Sequence, residues 1–193
     1  RRDLTIHLVD VSPRDFPILM SSIPYDLQKI KAFVFDIDGV ISRSTCPLDE
    51  EGNPHRTVNV KDGYALQFAV KRGFVVAVIT GGYTPAMALR MAHLGIEDYY
   101  QQSRNKVRDL EDLMEKYQLR PQEIIYVGDD IPDLGVMRRV GLAVAPQDAA
   151  PEILAAAHYI SHCCGGEGVA RDVIEQTLRA QGLWGSEGAG LAW

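Results

Sequence analysis

The chain has 193 residues, 46% hydrophobic and 24% charged, which excludes a disordered or collagen-like polypeptide and suits one domain with a sizeable core. Twenty Lys and Arg against 26 Asp and Glu leave a formal charge of −6, with no basic excess to neutralise nucleic-acid phosphates. No apolar run approaches the ~20 residues of a membrane-spanning helix, so neither nucleic acid nor membrane is an expected partner.

Residues 1–19 lack the apolar core and small-residue cleavage site of a secretory signal. Met20-Ser21-Ser22-Ile23-Pro24 reads as a natural start, so residues 1–19 are expected to be a non-native or disordered leader. From residue 30 onward, strand and helix signals alternate. Residues 31–36 form a short apolar run ending in an acid, as in a buried strand. Residues 40–44 and 55–60, joined through 49–53, read as a β-hairpin. A helix is expected over 63–72, a strand over 74–80, and a helix over 85–94 with Pro85 in its first turn. A short strand follows near 98–100. Residues 107–117 carry Val107, Leu110, Leu113, Met114 and Tyr117 on one helical stripe. Strands over 124–128 and 141–145, a short one over 158–161, and helices over 133–140, 151–157 and 169–180 complete the set.

The alternation predicts an α/β fold, a Rossmann-like, mostly parallel sheet with helices on both faces. One domain spans 20–183, with a small β-hairpin flap at about 40–60. Residues 184–193 read as a flexible C-terminal tail. Cys46, Cys163 and Cys164 match neither a disulfide framework nor a zinc pattern, and read as reduced thiols of a cytoplasmic protein.

In such a sheet, ligands sit beyond the carboxyl ends of the strands. Those ends carry Asp36-Ile37-Asp38-Gly39, then Thr80-Gly81-Gly82, then Gly128-Asp129-Asp130 with Asp133 one turn on. Lys106 opens the amphipathic helix before the third. Taken singly, these are ordinary caps, turns and a solvated lysine; taken together and in order, they suggest one crevice crowded with carboxylates. Charges so close repel unless a cation intervenes. A hard divalent ion with oxygen ligands, Mg²⁺, answers this and would help an anionic nucleophile approach a phosphate.

Phe35-Asp36-Ile37-Asp38-Gly39-Val40, Ile79-Thr80-Gly81, Lys106 and Gly128-Asp129-Asp130-x-x-Asp133 resemble the four motifs of the haloacid dehalogenase-like (HAD-like) phosphohydrolases, over about residues 30–183. The resemblance implies that Asp36 is the nucleophile, forming an aspartyl-phosphate, and that Asp38 is the general acid and then the base. It implies that Thr80, Gly81 and Lys106 hold the phosphoryl oxygens. Asp36, Asp129 and the Asp38 carbonyl would bind Mg²⁺, with Asp130 and Asp133 in support. The segment between Asp38 and Thr80 is too short for a large cap domain, which predicts a capless enzyme.

Residues 56–64 and 165–172 are similar to segments of the 3-deoxy-D-manno-octulosonate 8-phosphate (KDO 8-phosphate) phosphatases. Those are capless cytoplasmic homotetramers of lipopolysaccharide biosynthesis whose hairpins and tails help close a neighbour's site. By that resemblance the substrate is a small phosphorylated sugar acid, bound in part by Arg56, Lys61 and Arg171 near a subunit interface. Arg suits a planar carboxylate because it donates two parallel hydrogen bonds. Some relatives carry Arg where this chain has Gly82, which keeps open a related nonulosonate 9-phosphate of the KDN or sialic acid type. A phospho-accepting receiver domain and a non-catalytic regulatory module are the readings of another class. In receivers, however, the acidic pair ends the first strand and the Lys ends the last. No Gly-x-x-x-x-Gly-Lys-Ser/Thr loop occurs.

Overall fold

The computed structural model describes residues 22–185. Six strands, β1 (Ala32–Phe35), β2 (Val75–Ile79), β3 (Asp98–Tyr100), β4 (Ile124–Val127), β5 (Leu142–Ala145) and β6 (Tyr159–Ile160), form one sheet in the order β3-β2-β1-β4-β5-β6. Every pairing is parallel. Helices α1 (Val60–Lys71), α2 (Pro85–His93), α3 (Lys106–Tyr117), α4 (Leu134–Met137), α5 (Pro151–Ala156) and α6 (Val169–Ala180) make the connections and cover the sheet.

The strands are uninterrupted apolar runs because both faces of the sheet are buried. Phe33, Phe35, Val76, Val78, Ile125, Val127, Leu142 and Val144 point to the side covered by α1, α2 and α6. Their neighbours Ala32, Val34, Ala77, Ile79, Ile124, Tyr126, Ala143 and Ala145 point to the side of α3, α4 and α5. On α6, Val169, Ala170, Val173, Ile174, Thr177 and Leu178 are buried at helical spacing, and on α3 the buried residues are Lys106, Leu110 and Leu113. The apolar periodicity thus sets which face each helix buries.

Chain order reverses between β1 and β4, so a crevice opens beyond their carboxyl ends. Phe35 pairs with Val78 on one side and Val127 on the other. This register puts Thr80 and Asp129 level with each other, one residue beyond Asp36, at the ends of three adjacent strands, and the Asp36 N–H donates to the Val127 carbonyl at 3.0 Å.

The expected flap takes a different form. Its arms do not pair as strands; Leu48 and Pro54 make one antiparallel bridge. The turn between them is closed by Asp49 N–H to the Asn53 carbonyl at 2.9 Å and His55 N–H to the Pro47 carbonyl at 2.8 Å. Val40 and Ile41, read as part of one arm, are instead core residues, 0% and 2% exposed. Pro47 and Pro54 lack the N–H that a longer ladder needs. The segment is a loop, and among the described residues there is no cap domain. Helix α1 starts at Val60 and not Gly63, because Asn59 caps it by accepting from the Lys61 N–H at 2.9 Å. The helix expected over 133–140 shortens to α4, preceded by a 3-10 turn at Ile131–Asp133.

The leader expected at 1–19 lies outside the described residues, as does most of the tail. Trp184, placed in that tail, packs edge-on against Phe68 and Tyr64, with ring centroids at 5.2 and 6.1 Å. The glycine-rich segment 165–168 is packed too. A Cβ on Gly165 would lie 2.1 Å from the Gly39 carbonyl oxygen, so two backbones touch there. Gly166 donates to the Val40 carbonyl at 2.8 Å.

Candidate active site

A cleft of about 690 Å³ opens at the reversal point and is lined by Asp36, Asp38, Thr80, Gly81, Gly82, Arg104, Lys106, Asp129, Asp130 and Asp133, among others. Asp36 ends β1 with 11% of its side chain exposed. Its Oδ1 accepts the Ile37 N–H at 2.7 Å, and its Oδ2 lies 2.8 Å from Lys106 Nζ. Lys106 opens α3, whose N-terminus is capped by Asn105. That cap sends a buried ammonium between two acids, since Nζ is also 2.8 Å from Asp133 Oδ1.

Asp133 is fully buried and organises the others. Oδ1 accepts from Lys106 and from the Tyr126 hydroxyl at 2.5 Å; Oδ2 accepts the N–H groups of Asp129 at 3.0 Å and Asp130 at 3.4 Å. Gly128 is glycine for the same reason, because a Cβ there would lie 2.5 Å from the Asp133 Cγ. Asp130 is exposed at the rim and accepts the Ile131 N–H at 2.8 Å.

Asp129 is the exception. Its carboxylate accepts no hydrogen bond among the described residues, and it lies so close to Gly39 that a Cβ on Gly39 would be 1.9 Å from Oδ2. Gly39 also has φ +77°, a left-handed conformation that favours glycine.

Electrostatics follow from this crowding. Burial, then the charge of Asp133, raises the Asp36 pKa to about 6, with Lys106 pulling the other way. Burial, then Asp36, Asp133 and Asp130, raises Asp129 to about 7. Burial opposes the charge on Lys106, but Asp36 and Asp133 outweigh it and raise its pKa. The carboxylates of Asp36, Asp129 and Asp133 each offer an oxygen within 4.8 Å of the others. The oxygens of Asp133 are already taken by four donors, which leaves Asp36 and Asp129 as the pair fit for a hard divalent cation.

Thr80 is 1% exposed; its Oγ accepts the Gly82 N–H at 3.1 Å, leaving its own proton to donate into the cleft. Gly81 is open, its nearest neighbour to a Cβ being the Ser103 carbonyl oxygen at 3.9 Å. The Asp38 carboxylate turns to Arg56, which donates Nε to Oδ1 at 2.7 Å and Nη2 to Oδ2 at 2.8 Å.

The structure does not bring Lys61 and Arg171 to this cleft. Both line a separate one of about 620 Å³ with Glu175, Arg179 and His162. The Arg171 guanidinium bonds Glu175 at 2.5 Å and lies over the Trp184 ring at 4.5 Å. Buried Asp62, at the start of α1, accepts the Arg171 N–H at 2.6 Å, tying α1 to the start of α6. Sequence reasoning missed the Tyr126 hydroxyl and the four-donor role of Asp133. A tyrosine inside an apolar strand was the available signal, since a buried hydroxyl usually finds a partner.

A haloacid dehalogenase-like hydrolase family profile matches residues 57–141. The 3-deoxy-D-manno-octulosonate 8-phosphate phosphatase KdsC of Salmonella typhi is 39% identical over 155 residues, 80% of this chain and 82% of that protein. The phosphatase of the same name from Escherichia coli K12 is 38% identical over 155 residues, with the same coverage. The crystal structure of the Yersinia pestis phosphatase superposes with a TM-score of 0.78 at 34% identity, covering 81% of this chain and 85% of that one. The Moraxella catarrhalis phosphatase, in complex with magnesium ion, phosphate ion and KDO, superposes at 0.77 and 31% identity, covering 81% and 90%.

Proposed function

The chain belongs to the haloacid dehalogenase-like hydrolases, and we propose that it hydrolyses KDO 8-phosphate to KDO and phosphate as a Mg²⁺-dependent phosphomonoesterase. One observation carries the reading: a buried lysine holds Asp36 in place beside Asp129, an acid whose carboxylate has no hydrogen-bond donor among the described residues. The names of the relatives supply the substrate.

In this scheme Asp36 attacks phosphorus and carries the phosphoryl group as an aspartyl-phosphate. Asp38 protonates the departing sugar oxygen, then takes the proton of the water that cleaves the intermediate. The Thr80 hydroxyl, the Gly81 N–H and Lys106 hold the phosphoryl oxygens. Asp36, Asp129 and the Asp38 carbonyl would hold Mg²⁺, which supplies positive charge against the anionic nucleophile and phosphate. Asp133 fixes Lys106 and the Asp129 backbone, and Asp130 caps the turn beside them. Of Arg56, Lys61 and Arg171, Arg56 is the one that contacts a residue of this cleft, Asp38, whereas Lys61 and Arg171 would reach a substrate only from a neighbouring subunit.

The same proposal places the enzyme in lipopolysaccharide biosynthesis, as a homotetramer with its sites near subunit interfaces. Exposed Leu48, Val58 and Tyr83, the last two lining the pocket that also holds Arg56, support such an interface. The three cysteines are free thiols, which suits the cytoplasm. Mass in solution checks the assembly.

Phosphate release should require Mg²⁺ and favour KDO 8-phosphate over hexose phosphates and nucleotides. A preference for either of the latter would overturn the substrate. Nonulosonate 9-phosphates belong in the panel, because Gly82 leaves position 82 without a substrate-facing charge.

Metal removal should show in stability, with a definite sign. The folded pKa values of Asp36 and Asp129, about 6 and about 7, exceed the ordinary 3.8. Without metal, each group's contribution to stability is fully present below about pH 4 and is lost as pH rises through 6 to 7. The metal-free melting temperature should therefore fall over that window. Saturating Mg²⁺ should raise it by roughly 5 °C at pH 7.5 and by clearly less at pH 5, where protons compete for the same oxygens. An equal gain at both pH values would count against Asp36 and Asp129 as ligands.

A further inference from the structure

Arg56 and Asp38 lie 18 residues apart, yet their side chains make a two-point contact, Nε to Oδ1 and Nη2 to Oδ2. The loop delivers Arg56 because the Thr57 N–H donates to the fully buried Ser42 Oγ at 3.0 Å. The arginine side chain is 7% exposed and the aspartate 45%; the acid lines the active-site cleft, whereas the guanidinium backs it and lines a pocket of about 670 Å³ with Tyr83 and Arg90.

Two further features single out this pair. Position 82 is glycine although its backbone is not in the left-handed region. A Cβ there would fall 2.3 Å from Arg56 Nη2 and 3.3 Å from Asp38 Oδ2. The side chain missing at 82 is thus the room that the guanidinium fills. In addition, among the described residues Arg56 Nη1 is buried with no acceptor and the Tyr99 hydroxyl is buried with no partner. A buried guanidinium donor without an acceptor is costly, so the contact with Asp38 does not use the full set of bonds that Arg56 can make.

We propose that Arg56 is a latch on Asp38 which the substrate's own carboxylate releases, making Arg56 a specificity-determining residue of the cleft. The inference rests on the phosphatase reading above. With both Asp38 oxygens engaged by guanidinium N–H groups, the side chain is held at Arg56 instead of being free to swing to a leaving oxygen. KDO 8-phosphate carries its phosphate at C8 and its carboxylate at the other end of the chain. That carboxylate is planar like the Asp38 carboxylate, and in this proposal it takes over the two parallel bonds that Asp38 receives. Asp38 is then free to serve the phosphoester. A phosphomonoester without a carboxylate leaves the latch closed.

Glycerol 3-phosphate tests this, being a primary alkyl ester like KDO 8-phosphate but lacking the acid. Arg56→Ala should lower kcat/KM for KDO 8-phosphate by roughly tenfold or more, mainly through KM, while raising kcat for glycerol 3-phosphate several-fold. Gly82→Ala keeps the Arg56 charge but crowds the guanidinium away from Asp38, and should also raise glycerol 3-phosphate turnover. Unchanged melting curves establish that both variants fold. A parallel fall in kcat for the two esters in Arg56→Ala would overturn the latch, leaving Arg56 a mere support for Asp38; unaltered discrimination would overturn it equally. If wild-type protein released phosphate from neither ester, the phosphatase reading itself would fall, and the latch with it.

Discussion

Asp36→Asn should abolish sustained phosphate release, lowering kcat by about 10³-fold or more, as expected when a covalent nucleophile is lost. An amide of the same shape keeps the contacts of the end of β1 but offers no anionic oxygen to phosphorus. Folding should survive. Lys106 keeps its second partner, Asp133, at 2.8 Å, and the change removes a buried charge whose pKa is raised to about 6 by burial and by Asp133. The variant should therefore melt close to the wild type without metal and gain less from Mg²⁺, since one of the two carboxylates proposed to bind the cation is gone. Steady turnover above roughly one part in a hundred of wild type would show that Asp36 is not the nucleophile. A receiver-like role would instead give a single phosphoryl transfer to the wild-type chain without turnover. The acidic pair Asp129-Asp130 follows β4, not β1, and this order already separates the chain from receivers.

The parts of the fold legible in the sequence are those governed by burial on both faces. β1, β2, β4 and β5 read as strands because nothing polar interrupts them, and α3 and α6 because their apolar residues recur at helical spacing. The flap is not legible for the same reason. Val40 and Ile41 look like one arm of a hairpin, but their apolar side chains serve the core, and no local pattern distinguishes those two destinations. The acids of the site were legible because a carboxylate closing an apolar strand is costly unless it has a use. Partners were not. The Asp38–Arg56 pair forms across an irregular loop, and the donors of Asp133 come from α3, β4 and the turn after it. Such meetings are set by tertiary register, which sequence spacing does not encode. Lys61 and Arg171 show the converse, since similarity of their segments placed them at a substrate while the chain's own packing holds them in another cleft.

Asp133 should give the largest loss of stability of any single site residue, although it touches neither substrate nor reacting atoms. Asp133→Ala strands four donors at once. The Tyr126 hydroxyl is completely enclosed, Lys106 is 8% exposed, and two backbone N–H groups lose their acceptor. Removing one partner from a buried ion pair costs about 3–5 kcal/mol, because the other charge stays buried, and orphaned donors add to that. One opposing effect exists: losing the Asp133 charge relieves repulsion on Asp36 and Asp129, whose pKa values it raises. That relief is the smaller quantity, since both carboxylates lie nearer to water than Asp133. A fall of roughly 10 °C in melting temperature is expected. Asp133→Asn separates charge from shape. Its single carbonyl oxygen can still accept from Lys106 and Tyr126, but its NH₂ group then faces the N–H groups of Asp129 and Asp130. It should lose about half as much stability, while its Mg²⁺ requirement shifts to higher concentration because the Asp129 backbone is no longer held. If Asp133→Ala melted within about 2 °C of wild type, Lys106 and Tyr126 would have found other partners, and the arrangement that holds Asp36 against Lys106 would not depend on Asp133.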